Sequence, residues 1–280
     1  MAFIENRGIS LILPPKESYR ERPVVTPSEA IRRLAESHGL DPDSLRAPKD
    51  IILSLSVCVT RLLVERMGAK QVKWIYRARP FYVGRTDGME VGIVWAAPGA
   101  PIATHVMEDL VACGAKHFIG VGLLASIQAN VGVGDIVIPS SAIRDEGTSY
   151  HYLPREVPAA ASKGMVQRLL NSSERLSIRV SVGPVWTTDA PYRETRSKIE
   201  HFRRLGVLGV DMETSAIFSL ALYRRVAAAN LLIVSGTLIE GGRRNAGFYH
   251  EALDKSIGKA IAIATALTPH RVPPSTALRS

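Results

Sequence analysis

Two acids one residue apart, in Val210-Asp211-Met212-Glu213, stand where an apolar run gives way to a helical pattern. A strand-to-helix junction of this kind lies at a strand end, where open α/β folds bind small ligands. An ionised carboxylate there only accepts hydrogen bonds, which suits a sugar diol. On spacing alone three roles stay open for Asp211 and Glu213: a clamp on a diol, half of an acid/base pair, or a charge stabilised by the helix dipole. A second polar cluster, Thr187-Thr188-Asp189-Ala190-Pro191-Tyr192-Arg193-Glu194-Thr195-Arg196, also follows a strand and precedes a helix. Thr188 or Asp189 is either an N-cap or a ligand-binding group. A third, Arg144 to Pro154, is a polar, aromatic loop after a strand and reads as a site wall or a subunit contact. Gly120-Val121-Gly122-Leu123-Leu124-Ala125 satisfies the loose G-x-G-x-x-G/A pattern, with Asp145 and Glu146 about twenty residues on. A dinucleotide site needs a helix directly after those glycines, and Asn130-Val131-Gly132-Val133-Gly134-Asp135 instead starts a new turn and strand.

The elements that must position these residues alternate between β-rich runs and amphipathic segments from Val91 onward, which predicts an α/β domain with a largely buried sheet. Strands are expected at Val91 to Ala97, His117 to Gly122, Asp135 to Ile143, Ile178 to Thr188, Val207 to Met212 and Asn230 to Ile239. Helical spacing runs over Ile102 to Ala112, Tyr192 to Arg204, Glu213 to Arg224 and Tyr249 to Leu267. Asp87-Gly88 between two apolar runs predicts a hairpin, so the sheet is mixed. Thr26-Pro27-Ser28-Glu29 forms a capping box opening a helix that Gly39 closes, with Arg32 and Arg33 on its solvated face. Ile51 to Met67 reads as a second, apolar helix. The expected division is residues 1–90 as a divergent N-terminal part of one domain, 91–268 as its core, and 269–280 as a poorly ordered tail.

A chain of 280 residues with 46% apolar content is expected to form one domain with a substantial core. Its net charge of +9 favours small anionic partners, but the basic doublets are dispersed and lack interleaved aromatics, which argues against a nucleic-acid surface. The two cysteines, Cys58 and Cys113, have no metal-ligand spacing to histidine and read as small core residues. No secretory leader and no membrane-spanning run is recognisable, so a soluble cytoplasmic protein is expected. No metal site is expected, since no His, Cys and carboxylate cluster has ligand spacing.

Ser140 to Pro154 (SSAIRDEGTSYHYLP), Trp186 to Thr195 (WTTDAPYRET) and Val210 to Ala216 (VDMETSA), with Val91 to Ile93, Val106 to Ala115 and Val131 to Ile138 (VGVGDIVI), together resemble the nucleoside phosphorylase family. The similarity covers about residues 90 to 260 and is greatest to the uridine phosphorylase and hexameric purine nucleoside phosphorylase branch. The resemblance implies a single α/β domain around a mixed, partly barrel-like sheet flanked by helices, assembled as a homodimer or homohexamer. It implies cleavage of a ribosidic C–N bond with inorganic phosphate as co-substrate and no other cofactor. Glu213 would accept hydrogen bonds from the ribose hydroxyls, with Asp211 beside it and Met212 against the sugar. Tyr192, Arg193, Thr188 and Asp189 would line the base pocket, Arg243 or Arg244 would contact the leaving base, and Ser126 and Gln128, in the strand-end loop, would bind substrate.

That loop departs from the family pattern. Where family members that use phosphate carry a hydroxyl and glycines, this chain has Leu123, Leu124 and Ala125, and Gly120 replaces a phosphate-binding arginine. Leu13-Pro14-Pro15-Lys16-Glu17 occupies the expected place of a Gly-Asp-Pro phosphate loop, no histidine precedes His38, and Ser235-Gly236 replaces a base-binding Ser-Asp pair. Three functions follow: phosphorolysis with an anion site rebuilt from Arg20, Arg22 or Arg77; hydrolysis, with Asp189, Glu194 or Asp211 as candidate base; or nucleoside binding without turnover.

Overall fold

A computed structural model describes residues 16–76, 79–96, 98–238, 245–246 and 251–266. Its strands are β1 (Asp50–Ser54), β2 (Lys70–Val72), β3 (Phe81–Thr86), β4 (Met89–Trp95), β5 (His117–Ser126), β6 (Ile136–Asp145), β7 (Ala159–Ala160), β8 (Ser181–Thr188), β9 (Gly209–Asp211), β10 (Ala227–Thr237) and β11 (Asn245–Ala246). The helices are α1 (Pro27–Ser37), α2 (Val57–Arg66), α3 (Ala100–Ala112), α4 (Lys163–Arg175), α5 (Arg196–Arg204), α6 (Thr214–Arg224) and α7 (Glu251–Thr265).

One mixed sheet carries all the strands, and part of it closes on itself. The ring runs β5, β10, β6, β8, β9 and back to β5, with β10 parallel to β5 and β9 antiparallel to it. An open arm continues from β5 through β1, β4, β3 and β2. The partly barrel-like α/β fold is therefore present. Closure depends on close approach at glycine, since a Cβ on Gly209 would meet the Ala125 carbonyl oxygen at 2.6 Å; on the open-arm side one on Gly122 would meet Leu55 Cβ at 2.8 Å.

Both faces of the sheet are covered, so successive strand residues feed opposite cores. Ile51, Leu53 and Phe118 join α3 and α6 residues on one side, whereas Ile52, Ile119 and Val121 join α2, α4 and α7 residues on the other. Residues 214–221 of α6 are buried on every side, which is why that segment shows little amphipathic pattern.

The Asp87-Gly88 hairpin forms as expected, both residues having positive φ (49° and 78°), as a two-residue primed turn requires. The Thr26 capping box is also present, Glu29 N–H donating to Thr26 Oγ1 at 3.3 Å and Thr26 N–H to Glu29 Oε2 at 2.8 Å. Arg32 and Arg33 face solvent.

Several expectations need correction. Ile51 to Met67 is not one helix: residues 50–54 form β1, buried in parallel pairing between β4 and β5, and only 57–66 are helical. The β-branched pair Ile51-Ile52 in a sheet interior overrides the helical reading. The α4 helix was not anticipated, because its Ser- and Asn-rich C-terminal half dilutes the apolar stripe of Met165 and Leu169. Cys58 is exposed and Cys113 half-buried, so neither is a fully buried core residue. The expected tail, 269–280, lies outside the described residues, as do Arg77, Leu13, Pro14, Pro15, Arg243 and Arg244.

Candidate functional site

The short strand β9 delivers Asp211 to the closed end of the ring, and α6 begins three residues later. Asp211 is 5% exposed and Glu213 7%, and neither is paired with a lysine or arginine among the described residues. Glu213 occupies the N-cap position of α6, yet its side chain does not cap that helix. It reaches across to α3, where Glu213 Oε1 accepts the Gly99 N–H at 2.6 Å. The carboxylate thus sits at the positive ends of two helices, which offsets part of its burial. Gly99 can present its amide there because it adopts φ 93°, a conformation that strains residues with a Cβ.

Asp211 is held differently. Thr187 Oγ1 donates to Asp211 Oδ1 at 2.7 Å, Thr214 N–H donates to Oδ2 at 3.0 Å, and the Thr214 hydroxyl also donates to Oδ2. Ser215 N–H donates to Thr187 Oγ1 at 3.0 Å, while Ser215 Oγ donates to the buried Glu146 Oε1 at 2.8 Å. Asn230 Nδ2 donates to Thr214 Oγ1 at 2.8 Å. Burial pushes the Asp211 carboxyl up, opposed by its bonds from Thr214 and Thr187. Burial also pushes Glu213 up, further than Asp211, and the neighbouring Asp211 charge adds to the rise.

The other expected site residues are placed as follows. Met212 is half-buried between the two acids. Thr188 is buried, its Oγ1 accepting Ala190 N–H at 3.3 Å, a local turn bond. Asp189 is exposed and Oδ2 accepts Gly147 N–H at 2.9 Å, tying the second polar cluster to the third. Tyr192, 98% exposed, and Arg193 stand in solvent outside the buried network. Ser126 and Gln128 are engaged in structure. Ser126 Oγ bonds to the Gln128 and Leu208 carbonyls at 3.1 and 3.3 Å, and Gln128 Nε2 donates to the Arg203 and Val207 carbonyls at 3.0 and 2.9 Å. These bonds stitch the end of β5 to the turn before β9.

The strand-end loop is also resolved by the fold. Residues 122–126 do not form a loop: Leu123 and Leu124 pair with Ile233 and Val234 of β10, and Ala125 pairs with both Gly236 and Val210. Leu124 is 1% exposed and packs in the core. A Cβ on Gly122 would meet Leu55, just after β1. Of the alternative cations, Arg22 is exposed and pairs with Glu29 at 3.3 Å, and Arg20 is exposed.

A cavity of about 960 Å³ lies beside the acid network, walled by the 21–27 segment, α3 and the 147–152 turn. It approaches the acids through Pro101, two residues past Gly99, and through Gly147 and Asp189; Asp211 and Glu213 are not among its walls. Sequence reasoning missed Gly99 and Asn230 as site-forming residues, and placed Thr187, Glu146 and Thr214 in candidate motifs without a role of their own. The available signal was Asn230, an amide inside the apolar run Ala227 to Val234.

Comparison with known proteins agrees with this geometry. Residues 59–269 match the family model described as the phosphorylase superfamily. A guanosine phosphorylase of Halorubrum lacusprofundi is 29% identical over 170 residues, 61% of this chain and 70% of that one. A uridine phosphorylase of Thermococcus kodakarensis is 29% identical over 153 residues, 50% of this chain and 55% of that one. Among solved structures, uridine phosphorylase from Vibrio fischeri superposes with a TM-score of 0.69 at 24% identity, covering 78% of this chain and 92% of that one. Purine nucleoside phosphorylase from Toxoplasma gondii gives 0.72 at 20% identity, covering 80% and 90%. Both structures share the fold. The chain belongs to the phosphorylase superfamily, in its uridine and purine nucleoside phosphorylase branch.

Proposed function

We propose that this protein is a nucleoside phosphorylase-like enzyme that cleaves the glycosidic C–N bond of a nucleoside, with inorganic phosphate as nucleophile. The observation that carries the reading is the buried Asp211 and Glu213 pair at the β9–α6 junction, without a lysine or arginine partner among the described residues and with Glu213 oriented by Gly99. As the C–N bond lengthens, positive charge develops on the sugar ring. Fixed carboxylate charge in a dry site stabilises that charge more than it would in water. The ribose hydroxyls would donate to Glu213, Met212 would pack against the sugar, and the base would leave as it gains a proton or hydrogen bond.

A second reading, hydrolysis or binding without turnover, is favoured by one observation. Leu123, Leu124 and Ala125 lie in the β-ladder, and their side chains offer an anion no hydrogen bond. We further propose a homodimer or homohexamer in the cytoplasm; no described helix is long and apolar enough to cross a membrane.

The test is a panel of natural nucleosides with and without phosphate, assayed for free base, with Glu213→Ala as control. Release that requires phosphate, and is lost in Glu213→Ala, supports the proposal. Equal release without phosphate transfers the assignment to a hydrolase. Wild-type release by Glu213→Ala removes the site altogether.

A further inference from the structure

We infer that Asn230, in the middle of β10, is a positioning residue for the candidate site: through the Thr214 hydroxyl it keeps Asp211 an ionised acceptor, a fixed charge beside Glu213 and not a ligand-binding group. Its catalytic consequence rests on the reading of Glu213 given above; the hydrogen-bond logic does not.

Hydroxyl protons are directed by what their oxygens accept. Thr214 Oγ1 accepts from Asn230 Nδ2 at 2.8 Å, and Thr187 Oγ1 accepts from Ser215 N–H at 3.0 Å. Both incoming groups are N–H donors, so each hydroxyl has its single proton left to give to Asp211. The Thr214 backbone N–H adds a third donor to Asp211, and the Glu213 backbone N–H also favours its charged form. A carboxylate accepts all of them. A protonated Asp211 would bring an O–H against hydroxyls already donating to it, so the donor set selects the ionised form.

The placement of Asn230 is specific to this task. It is fully buried, and its Oδ1 has no hydrogen-bond partner among the described residues, so the bond from Nδ2 to Thr214 is the return on burying the amide. Its neighbour across the ladder is Gly120 of β5, where a Cβ would collide with Asn230 Oδ1. Glycine at 120 makes the room that the amide occupies.

The charged groups around Asp211 leave this role to hydrogen bonds. Glu213 faces it from the start of α6, and Glu146, after β6, reaches the same helix through Ser215 Oγ at 2.8 Å. Lys198 of α5 is held by Asp145 at 2.7 Å on the neighbouring strand. The donors thus oppose the upward push of burial on Asp211, and its charge adds to the rise of Glu213, the member of the pair that changes protonation or takes ligand near neutrality.

The experiment follows the Asp211 carboxyl by NMR in ¹³C-aspartate-labelled full-length protein across pH, the resonance being assigned by its loss in Asp211→Asn. Asn230→Leu removes the donor at similar volume and should raise the Asp211 midpoint by about one pH unit, the acidic limb of kcat moving with it. Thr214→Val breaks the next link and should shift the midpoint the same way, whereas Thr214→Ser keeps the hydroxyl and should titrate as wild type. An unchanged midpoint in Asn230→Leu overturns the inference. If that variant does not fold, an unchanged midpoint in Thr214→Val, or an equal shift in Thr214→Ser, does so instead. Because the resonance is read without turnover, a failure of nucleoside cleavage would sink the functional reading and leave this test standing.

Discussion

Glu213→Gln keeps the shape of the buried side chain and removes its titration, so it isolates what that carboxyl does to stability. The carboxyl is pushed from the ordinary glutamate value of 4.5 up to about 8, by burial first and then by Asp211. Between those values the folded chain holds a proton that the unfolded chain has released. Stability from this group is therefore complete below pH 4.5 and is lost as pH rises through about 8. One proton of difference is worth about 1.4 kcal/mol per pH unit. With the side chain 7% exposed, solvent screening discounts this little. From about pH 5.5 to about pH 7.5 the wild type should lose on the order of 3 kcal/mol relative to Glu213→Gln. At about 2–4 °C per kcal/mol for a chain of this size, its Tm should fall by roughly 6–12 °C more than the variant's. Asp211, also raised, contributes a fall of the same sign at the acidic end in both proteins. The assay is differential scanning calorimetry of ligand-free protein across this range. Parallel Tm curves would show that Glu213 does not hold a proton in the folded chain, and the account of the pair would be refuted.

Two further substitutions probe the frame of the site. Gly209→Ala would drive a Cβ to 2.6 Å from the Ala125 carbonyl oxygen and from Leu124 Cδ2; since backbone cannot swing away, it should cost about 1–3 kcal/mol, read as a lower denaturant midpoint, and an unchanged midpoint would mean that β9 does not close onto β5 this tightly. Arg144→Met should cost at least about 2 kcal/mol, because Arg144 donates to the Leu153, Pro154 and Val157 carbonyls and to Ser149 Oγ. Limited proteolysis should then cut within 147–157, and protection equal to wild type would count against Arg144 as the hub of that turn.

Elements with strong local signals were legible in the sequence. The Asp87-Gly88 hairpin, the Thr26 cap, and the strand and helix on either side of Val210-Asp211-Met212-Glu213 follow from turn chemistry, capping geometry and periodicity, all of which act over a few residues. The long apolar run from Ile51 was misread because a buried strand followed by a short helix has no periodicity that separates them. The bonds of Ser126 and Gln128 were not legible for a related reason: their polarity marks a strand end, but the Leu208, Arg203 and Val207 carbonyls they reach lie 82, 75 and 79 positions away in the chain.

By itself the sequence determined that two carboxylates would stand at a strand end in a mixed α/β sheet, because strand, junction and helix are contiguous and each is specified by its own residues. It also determined that leucine would replace a hydroxyl at position 123, a change of side-chain chemistry that needs no coordinates. Only the tertiary structure decided what the carboxylates touch. Gly99 lies 114 positions from Glu213, Thr187 lies 24 from Asp211, and Asn230 lies 16 from Thr214, so their meeting depends on ring closure and on α3 packing beside α6. Hydrogen bonds are satisfied across the fold and not along the chain. Which acid is held as a fixed charge and which is left to respond was therefore settled by packing.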